Sequence, residues 1–263
     1  MENIFNQSPF KCRMDWGVRG VEEASSRGDI IIIIDVLSFS SAVTNALHNG
    51  VIIYPFPRTG DINEFGKLVG AEVCIMERAR ARELGLPSLS TTSFNEKHRG
   101  EKYVLSSING ATCVKAASES STILIGSLLN VSAVSEIANK LQKETNKNIT
   151  VIACGERWKN KDEGPRELRP CIEDYLAAGS ILEKLDGTKS PEARVCVSAY
   201  SNSKPELNEL ISDSSSGREL IKIEFAEDVE FACKFDLFNE VPFLTKDNIG
   251  QMYFKNFYLA NSL

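Results

Sequence analysis

The stretch DIIIIIDV, residues 29–36, decides the fold class of this chain. Five consecutive isoleucines are typical of a strand that is buried on both faces, as in a parallel sheet covered by helices. The next segment, Phe39–His48, has apolar residues at helical spacing and is followed by Asn49-Gly50, a common stop signal. The sequence therefore predicts a strand that leads directly into a helix.

Strand and helix signals continue to alternate on both sides of this unit. We predict further strands at residues 51–54, 71–75, 102–105, 122–125, 149–153 and 241–244. Further helices are predicted at residues 61–69, 111–118, 170–184 and 227–234, with another capped by Asn130. Polar segments at residues 86–100, 156–169 and 212–217 indicate loops or turns. We expect one α/β domain over residues 1–263, with three α/β/α layers and a largely parallel or mixed sheet.

Composition excludes several classes of protein. Of 263 residues, 42% are hydrophobic and 25% charged, which is typical of a folded globular chain. The formal net charge of -6 argues against a nucleic-acid partner, and no apolar run approaches the ~20 residues of a membrane span. Seven scattered cysteines without a C-x-x-C pair, and no recognisable signal peptide, favour reduced thiols and a cytoplasmic location. Only two histidines are present, which disfavours a His-rich zinc site.

Polar segments follow the predicted strands at residues 35–41, 106–110, 126–130 and 154–158. If the strands are parallel, these segments share the sheet edge at which α/β proteins bind ligands. Small hydroxyl and amide residues before a helix can present N–H groups to phosphate or sulfonate, so we expect a small anionic substrate. The candidate phosphate-binding residues are Ser38, Ser107, Asn109, Gly110, Ser127, Asn130 and Gly155.

Asp35 is the strongest single candidate for a functional residue. A carboxylate at the end of an apolar strand is energetically unfavourable unless it is hydrogen-bonded, paired or bound to a cation. It is either a Mg²⁺ ligand or catalytic carboxylate, or an N-cap for the following helix. Leu37 argues against a haloacid-dehalogenase type of phosphatase, whose chemistry needs a second Asp there. Glu173 and Asp174 can supply further carboxylates to the same metal, or only interact with a helix dipole.

Other candidates have simpler alternatives. Asn109-Gly110 can be only a turn, and Ser127 and Asn130 only helix caps. Cys154 has no nearby His to activate it, so a buried inert thiol is expected. Arg157 can clamp an anion and Trp158 can close the site, or both can belong to a solvated loop.

Several segments, in order, resemble elements of the 2-phosphosulfolactate phosphatase family of coenzyme M biosynthesis, and the resemblance covers residues 29–244. They are Asp35-Val36-Leu37-Ser38, Met76-Glu77-Arg78, Ser107-Ile108-Asn109-Gly110-Ala111, residues 126–134, Glu173-Asp174 with Ala178-Gly179, Ser215-Ser216-Gly217 and Glu227-Asp228. The resemblance implies an α/β/α fold and Mg²⁺-dependent hydrolysis of 2-phosphosulfolactate to 3-sulfolactate and phosphate.

Two departures from the family pattern bear on the substrate. Ser38 stands where the family usually has Arg, and Ala111 replaces a hydroxyl residue. Serine cannot replace the bidentate grip of Arg on an anion, so either Arg157 or Arg169 is expected to supply the missing charge. The chain is similar to a divergent subgroup of the family.

The first hypothesis is therefore a Mg²⁺-dependent phosphatase. Asp35 would hold the metal with Glu173 or Asp174, and Arg157 would neutralise charge in the transition state, so the expected catalytic residues are Asp35, Arg157 and Glu173. The alternative is a non-catalytic or regulatory module that binds a phosphorylated or sulfonated acid. An ester hydrolase acting through Ser38 or Ser40 ranks last, since it lacks a His partner. A homodimer is left open.

Overall fold

The isoleucine run lies inside a nine-stranded sheet in the computed structural model of the chain. The structure describes residues 4–117, 121–158 and 167–260. The strands of this sheet are β1 (Cys12–Trp16), β2 (Ile30–Ile34), β3 (Ile52–Phe56), β4 (Glu72–Val73), β5 (Lys102–Ser106), β6 (Thr122–Gly126), β7 (Ile149–Ala153), β10 (Pro242–Lys246) and β11 (Met252–Asn256). Their order across the sheet is β1-β7-β2-β6-β10-β11-β3-β5-β4. A separate two-stranded ribbon pairs β8 (Glu156–Arg157) with β9 (Leu168–Arg169).

Helices cover both faces of the sheet. In chain order they are α1 (Gly17–Ser26), α2 (Phe39–His48), α3 (Ile62–Val69), α4 (Arg78–Leu84), α5 (Gly110–Ala116), α6 (Val131–Thr145), α7 (Ile172–Lys184), α8 (Pro191–Ser203), α9 (Leu207–Asp213), α10 (Ser215–Lys222), α11 (Ala226–Ala232) and α12 (Phe257–Ala260). Single 3₁₀ turns occur at Ile4–Asn6, Glu96–His98, Leu128–Asn130 and Lys204–Glu206.

Strand β2 confirms the prediction of burial on both faces, since all five isoleucines are fully buried. Alternate side chains enter opposite cores, as the two-residue period of a strand requires. Ile30, Ile32 and Ile34 pack with apolar residues of α6, α7 and α8. Ile31 and Ile33 pack with those of α1, α2 and α5. The three-layer α/β/α prediction and the mixed, mostly parallel sheet are therefore confirmed.

The sheet has two parallel groups of strands rather than one. Strands β1, β7, β2 and β6 run parallel to one another, and so do β3, β5 and β4. The antiparallel hairpin β10–β11 joins the groups, with one bridge to β6 and one to β3. A flat sheet would place β2 and β5, five strand steps apart, about 24 Å from each other. Yet the Gly110 backbone N–H lies 3.0 Å from the Asp35 carboxylate, so the sheet is strongly curled.

This curl changes one expectation about the polar segments. The segments at residues 35–41, 126–130 and 154–158 follow β2, β6 and β7, which belong to the first parallel group. Residues 106–110 follow β5, which lies outside that group. The argument from parallel strands is wrong for this fourth segment, which reaches Asp35 because the sheet curls.

Several local predictions need correction. The Ser-rich turn predicted at residues 212–217 is the junction at which α9 ends and α10 begins, with Ser214 as its N-cap. The helix predicted from Pro170 begins at Ile172. Sequence patterns did not predict β1, α1, α4, α8, α9, α10, β11 or α12. Ser118 and most of the predicted loop at 156–169 lie outside the described residues, and the part described forms β8 and β9.

No helix among residues 4–117, 121–158 and 167–260 is both long and apolar enough to cross a bilayer. The single-domain organisation over residues 1–263 and the homodimer stay predictions.

Close packing of α7 against α8 yields a first test. A Cβ added to Gly179 would lie 2.5 Å from the Cys196 backbone oxygen and 2.7 Å from Tyr200 Cβ. Because backbone cannot move aside easily, we expect Gly179→Ala to lower the free energy of unfolding by about 1–3 kcal/mol. Urea denaturation measures the change. Ser198→Ala, on the exposed face of α8, is the control and should leave stability nearly unchanged; an equal effect of both variants would contradict the packing argument.

Candidate active site

Asp35 lies one residue beyond β2 and is 5% exposed. Its Oδ2 atom accepts hydrogen bonds from the Gly110 backbone N–H at 3.0 Å and from Ser107 Oγ at 3.4 Å. The Asp35 backbone N–H donates to Ser40 Oγ. Its carboxylate also accepts a hydrogen bond from the backbone N–H of Phe39, the first residue of α2, so Asp35 contacts the N-terminus of this helix as well as the 107–110 turn. The structure thus brings together three residues that the sequence singled out, Asp35, Ser107 and Gly110.

Burial and a neighbouring acid control the ionisation of Asp35. Desolvation raises the pKa of its carboxyl from the usual 3.8 to about 7, and the charge of Glu156 adds to the rise. Backbone N–H groups of Gly110 and Phe39 and the charge of Arg78 oppose it. Near neutral pH this carboxyl is therefore held between its two protonation states, which is a common feature of functional sites.

Asp174, in the first turn of α7, ties two loops together. Its Oδ1 accepts from the Val36 backbone N–H at 2.8 Å, and its Oδ2 accepts from the Gly155 backbone N–H at 2.9 Å. Burial and the charges of Asp35 and Glu173 raise the pKa of this carboxyl. Any metal ion would have to share both oxygens with backbone donors, so Asp174 is the weakest of the predicted ligands. The geometry favours a positioning role, which fixes the loops that follow β2 and β7.

The half-buried Glu156 and the buried Glu173 complete the group of acids around Asp35. Asn109 Nδ2 donates to Glu156 Oε2 at 2.9 Å. Burial raises the pKa of Glu156, and the nearby charge of Glu173 raises it further. Glu173 is 3% exposed, and no hydrogen bond to its carboxylate is found within the described part of the chain. The sequence predicted Glu173 but missed Glu156, whose only signal was its place after a strand.

Arg78, at the start of α4, is a cation whose charge acts on this group of acids, and the sequence did not place it in the site. It donates to the Leu37 backbone oxygen and to Asp228 Oδ2, at 3.1 and 3.2 Å. Its charge acts on both Asp35 and Glu156. Arg78 belongs to segment 76–78, which resembles a family element, but the sequence of this segment does not indicate a contact with Leu37.

A surface cleft of about 720 Å³ opens beside the acids. Glu156 and Asn109 line it on one side, and Trp158, which is 55% exposed, stands at its edge. Both predicted arginines, Arg157 and Arg169, line the same cleft. Ser215, which the sequence left out of the site, also lines it, together with Ile108, Pro170 and Glu219.

Other predicted phosphate-binding residues are already engaged within the protein. Ser127 and Asn130 are fully buried, and Asn130 Nδ2 donates to the backbone oxygens of Ile125 and Glu240. The N–H groups of Asn109 and Gly110 donate to Ser107 Oγ, and that of Gly155 donates to Asp174. These groups favour a structural role. Among the predicted binders Ser38 is half-buried at the N-terminus of α2, and its side chain makes no capping bond.

Asn130 occupies the N-cap position of α6 without capping the helix through its side chain. It is the residue before α6, as predicted, yet its side chain makes no hydrogen bond to that helix. Its Oδ1 instead accepts from the Ser127 backbone N–H at 2.9 Å.

Cys154 is 2% exposed, next to the acids. Burial raises the pKa of its thiol, and contact with Cys113 raises it further. A protonated, buried thiol is a poor nucleophile, in agreement with the inert interpretation.

Comparison with known proteins covers most of the chain. The family model described as 2-phosphosulpholactate phosphatase matches residues 18–247. The chain belongs to this family. Its relatives include a 2-phosphosulfolactate phosphatase of Methanothermobacter thermautotrophicus, 29% identical over 218 residues that cover 81% of this chain and 85% of the relative. A probable 2-phosphosulfolactate phosphatase of Caldanaerobacter subterraneus is 27% identical over 221 residues, which cover 81% of this chain and 86% of the relative.

The acids of this member of the 2-phosphosulpholactate phosphatase family suit the Mg²⁺ that the resemblance implies. Asn109 Oδ1 is buried without a hydrogen-bond donor, beside Glu156. In the described ranges no three His, Cys, Asp or Glu side chains are grouped closely enough to hold an ion on their own. Mg²⁺ does not require this, since it is usually held by one or two carboxylates plus waters and substrate phosphate. Carboxylate and amide oxygens are its preferred ligands, so the residues fit.

Proposed function

We propose that this chain hydrolyses 2-phosphosulfolactate to 3-sulfolactate and inorganic phosphate in a Mg²⁺-dependent reaction. The observation that carries the proposal is the Asp35 carboxylate, buried among further acids and held by the 107–110 turn beside an arginine-lined cleft. Membership of the 2-phosphosulpholactate phosphatase family, and the names of the relatives, support this substrate. Hydrolysis joins the water oxygen to phosphorus and breaks the ester P–O bond. The two protons of water end on the phosphate and on the sulfolactate hydroxyl.

Asp35 and Glu156 are the best-placed residues to hold Mg²⁺, because the charge of Glu156 is close enough to raise the pKa of Asp35 and the charge of Arg78 acts on both carboxylates. Asn109 Oδ1 and the Glu173 carboxylate are the further oxygens available beside them. When bound, Mg²⁺ supplies positive charge to the phosphoryl oxygens and lowers the pKa of water.

The chain's own residues would do the remaining work. Arg157, on the ribbon strand β8, lines the cleft and would neutralise charge that develops on the phosphoryl oxygens. Asp174 would keep the loops after β2 and β7 in register through its two backbone hydrogen bonds. Trp158, at the edge of the cleft, would limit the access of bulk water.

Phosphate release is the direct test. Purified protein would be supplied with 2-phosphosulfolactate, 2-phospholactate and glycerol 2-phosphate, each with Mg²⁺ and with EDTA. We expect release from 2-phosphosulfolactate, and a loss of roughly 100-fold or more in EDTA that added Mg²⁺ restores, since the metal contributes several kcal/mol to such reactions. Undiminished turnover in EDTA would reject the metal, and no release from any ester would leave the non-catalytic binding module.

A further inference from the structure

Arg169 differs from three other buried or half-buried arginines, Arg13, Arg27 and Arg78, which each pair with an aspartate. Arg13 and Arg27 pair with Asp29, and Arg78 pairs with Asp228. Arg169 is half-buried, yet no carboxylate of the described residues lies within ion-pairing distance of its guanidinium. Leaving such a charge without an anion is unfavourable in a partly desolvated place. Among the described residues, the guanidinium of Arg169 therefore has no carboxylate to balance its charge.

The two-stranded ribbon aims Arg169 at the cleft. Arg169 on β9 is the cross-strand partner of Glu156 on β8, and directly paired side chains lie on the same face of a ribbon. Both residues line the cleft. The charge of Arg169 reaches Glu156 and opposes the rise of its pKa, which places the guanidinium close to the proposed reaction centre.

Neutral contacts hold the guanidinium in place. Nη2 donates to Ser216 Oγ at 3.1 Å, and the Trp158 ring centroid lies 5.9 Å from the guanidinium carbon. Within the described residues, this one hydrogen bond and one aromatic face engage only part of the five-donor fork of Arg169, which leaves N–H donors for a ligand. Ser215, the first residue of α10, lines the same wall and adds a hydroxyl at the positive end of that helix.

From this geometry we infer that Arg169 binds the second, non-reacting anionic group of the substrate, a sulfonate or carboxylate. The site would thereby select phosphate esters of small acids over neutral phosphate esters. The inference rests on the proposed function and deepens it. The family pattern places an anion-binding arginine at position 38, where this chain has the half-buried Ser38. In this chain Arg169, on β9, would bind the anion instead.

Steady-state kinetics of Arg169→Gln and Arg169→Lys test the inference on two esters, 2-phosphosulfolactate and glycerol 2-phosphate. We expect Arg169→Gln to raise KM for 2-phosphosulfolactate about 10- to 100-fold, the size expected for charge-assisted hydrogen bonds, with kcat changed less than about threefold. The value of kcat/KM for glycerol 2-phosphate should change less than about threefold. Arg169→Lys should lie between wild type and Arg169→Gln, because Lys keeps the charge and loses the fork.

Arg80→Gln is the matched control, since Arg80 lies on the exposed surface and pairs with Glu83. It should leave both esters unaffected. An equal loss of kcat/KM on both esters in Arg169→Gln would overturn the inference, and so would no loss on 2-phosphosulfolactate. Thermal unfolding of each variant separates these outcomes from misfolding.

Calorimetry of 3-sulfolactate binding tests the role of Arg169 without turnover, because this ligand carries no phosphate. Wild type should bind it, and Arg169→Gln should bind it about 10- to 100-fold more weakly. If wild type binds 3-sulfolactate through Arg169 but releases no phosphate, the proposed function fails and the anion site stands. If wild type hydrolyses the ester and Arg169→Gln binds 3-sulfolactate as tightly as wild type, the anion site fails and the proposed function stands.

Discussion

Replacing Asp35 by asparagine is expected to abolish phosphate release and to make the metal-free protein more stable. Activity should fall by about 10³-fold or more, because the proposed Mg²⁺ loses a buried carboxylate ligand, and such a loss corresponds to roughly 4 kcal/mol of barrier. Stability should rise because the folded protein holds this carboxyl close to Glu156 and away from water. A neutral amide of nearly the same shape avoids both costs.

The pH dependence of this gain follows from the direction of the pKa shift. The pKa of Asp35 is raised from 3.8 to about 7 in the folded protein, so the folded state holds the proton more tightly than the unfolded state. Its favourable contribution is complete below about pH 4 and is lost as the pH rises towards 7. The advantage of Asp35→Asn should therefore grow from pH 5 to pH 8 and level off above it.

Thermal unfolding in EDTA at pH 5, 6, 7 and 8 measures the effect. We expect Asp35→Asn to melt about 2–8 °C above wild type at pH 8, with a smaller difference at pH 5, since 1 kcal/mol shifts the Tm of a chain this long by a few degrees. Added Mg²⁺ should raise the Tm of wild type more than that of Asp35→Asn. Asp61→Asn, at the exposed N-cap of α3, is the control and should keep both activity and Tm. A less stable Asp35→Asn at pH 8 would contradict the repulsion argument.

The sequence located the centre of this site because its strongest signals are local. Asp35 directly ends an apolar strand, and Glu173-Asp174 stand in the first turn of a helix. Each pattern is visible within a few residues. The Ser107–Gly110 segment was found in the same way, as a polar turn between a strand and a helix. Which oxygen each N–H would reach depends on the curl of the sheet, and no local pattern encodes it.

The contacts that the sequence did not predict depend on distant parts of the chain. Arg78 reaches Asp228 across 150 positions, and Asn130 turns its amide towards Glu240 across 110 positions. The strand β11 was missed although it pairs with both β10 and β3, because its hairpin follows the last predicted strand and its residues alternate weakly. Local propensity cannot specify such pairings, which tertiary packing decides.

Asp228 shows what a structural carboxylate looks like in the same protein. It is fully buried, as Asp35 nearly is, but it is well bonded. Its Oδ1 accepts from Ser90 Oγ at 2.6 Å and from Thr92 Oγ1 at 3.2 Å, and its Oδ2 accepts from Arg78 at 3.2 Å. Through these bonds Asp228 connects α11 to α4 and to the polar segment after it. It also holds Arg78 against the Leu37 backbone oxygen, beside Asp35.

Asp228→Asn should therefore have the opposite effect on stability to Asp35→Asn. The amide removes the charge opposite Arg78 and turns an N–H₂ group towards existing donors. We expect the free energy of unfolding to fall by about 2–4 kcal/mol, because breaking a buried pair leaves an uncompensated charge. Urea denaturation at pH 7 measures the loss. Activity should fall as well, through a displaced Arg78, and Mg²⁺ should not restore it.

Glu227→Gln is the matched control for Asp228→Asn, because it removes the adjacent carboxylate from a pair that faces solvent. Glu227 pairs with Arg82, and both side chains are about half exposed. Exposed pairs contribute about 0–1 kcal/mol, so Glu227→Gln should cost little. If Asp228→Asn lowers the free energy of unfolding no more than Glu227→Gln does, burial and hydrogen bonding do not make Asp228 more important for stability than Glu227. A gain in Asp35→Asn together with a loss in Asp228→Asn would distinguish a carboxylate kept for chemistry from one kept for structure.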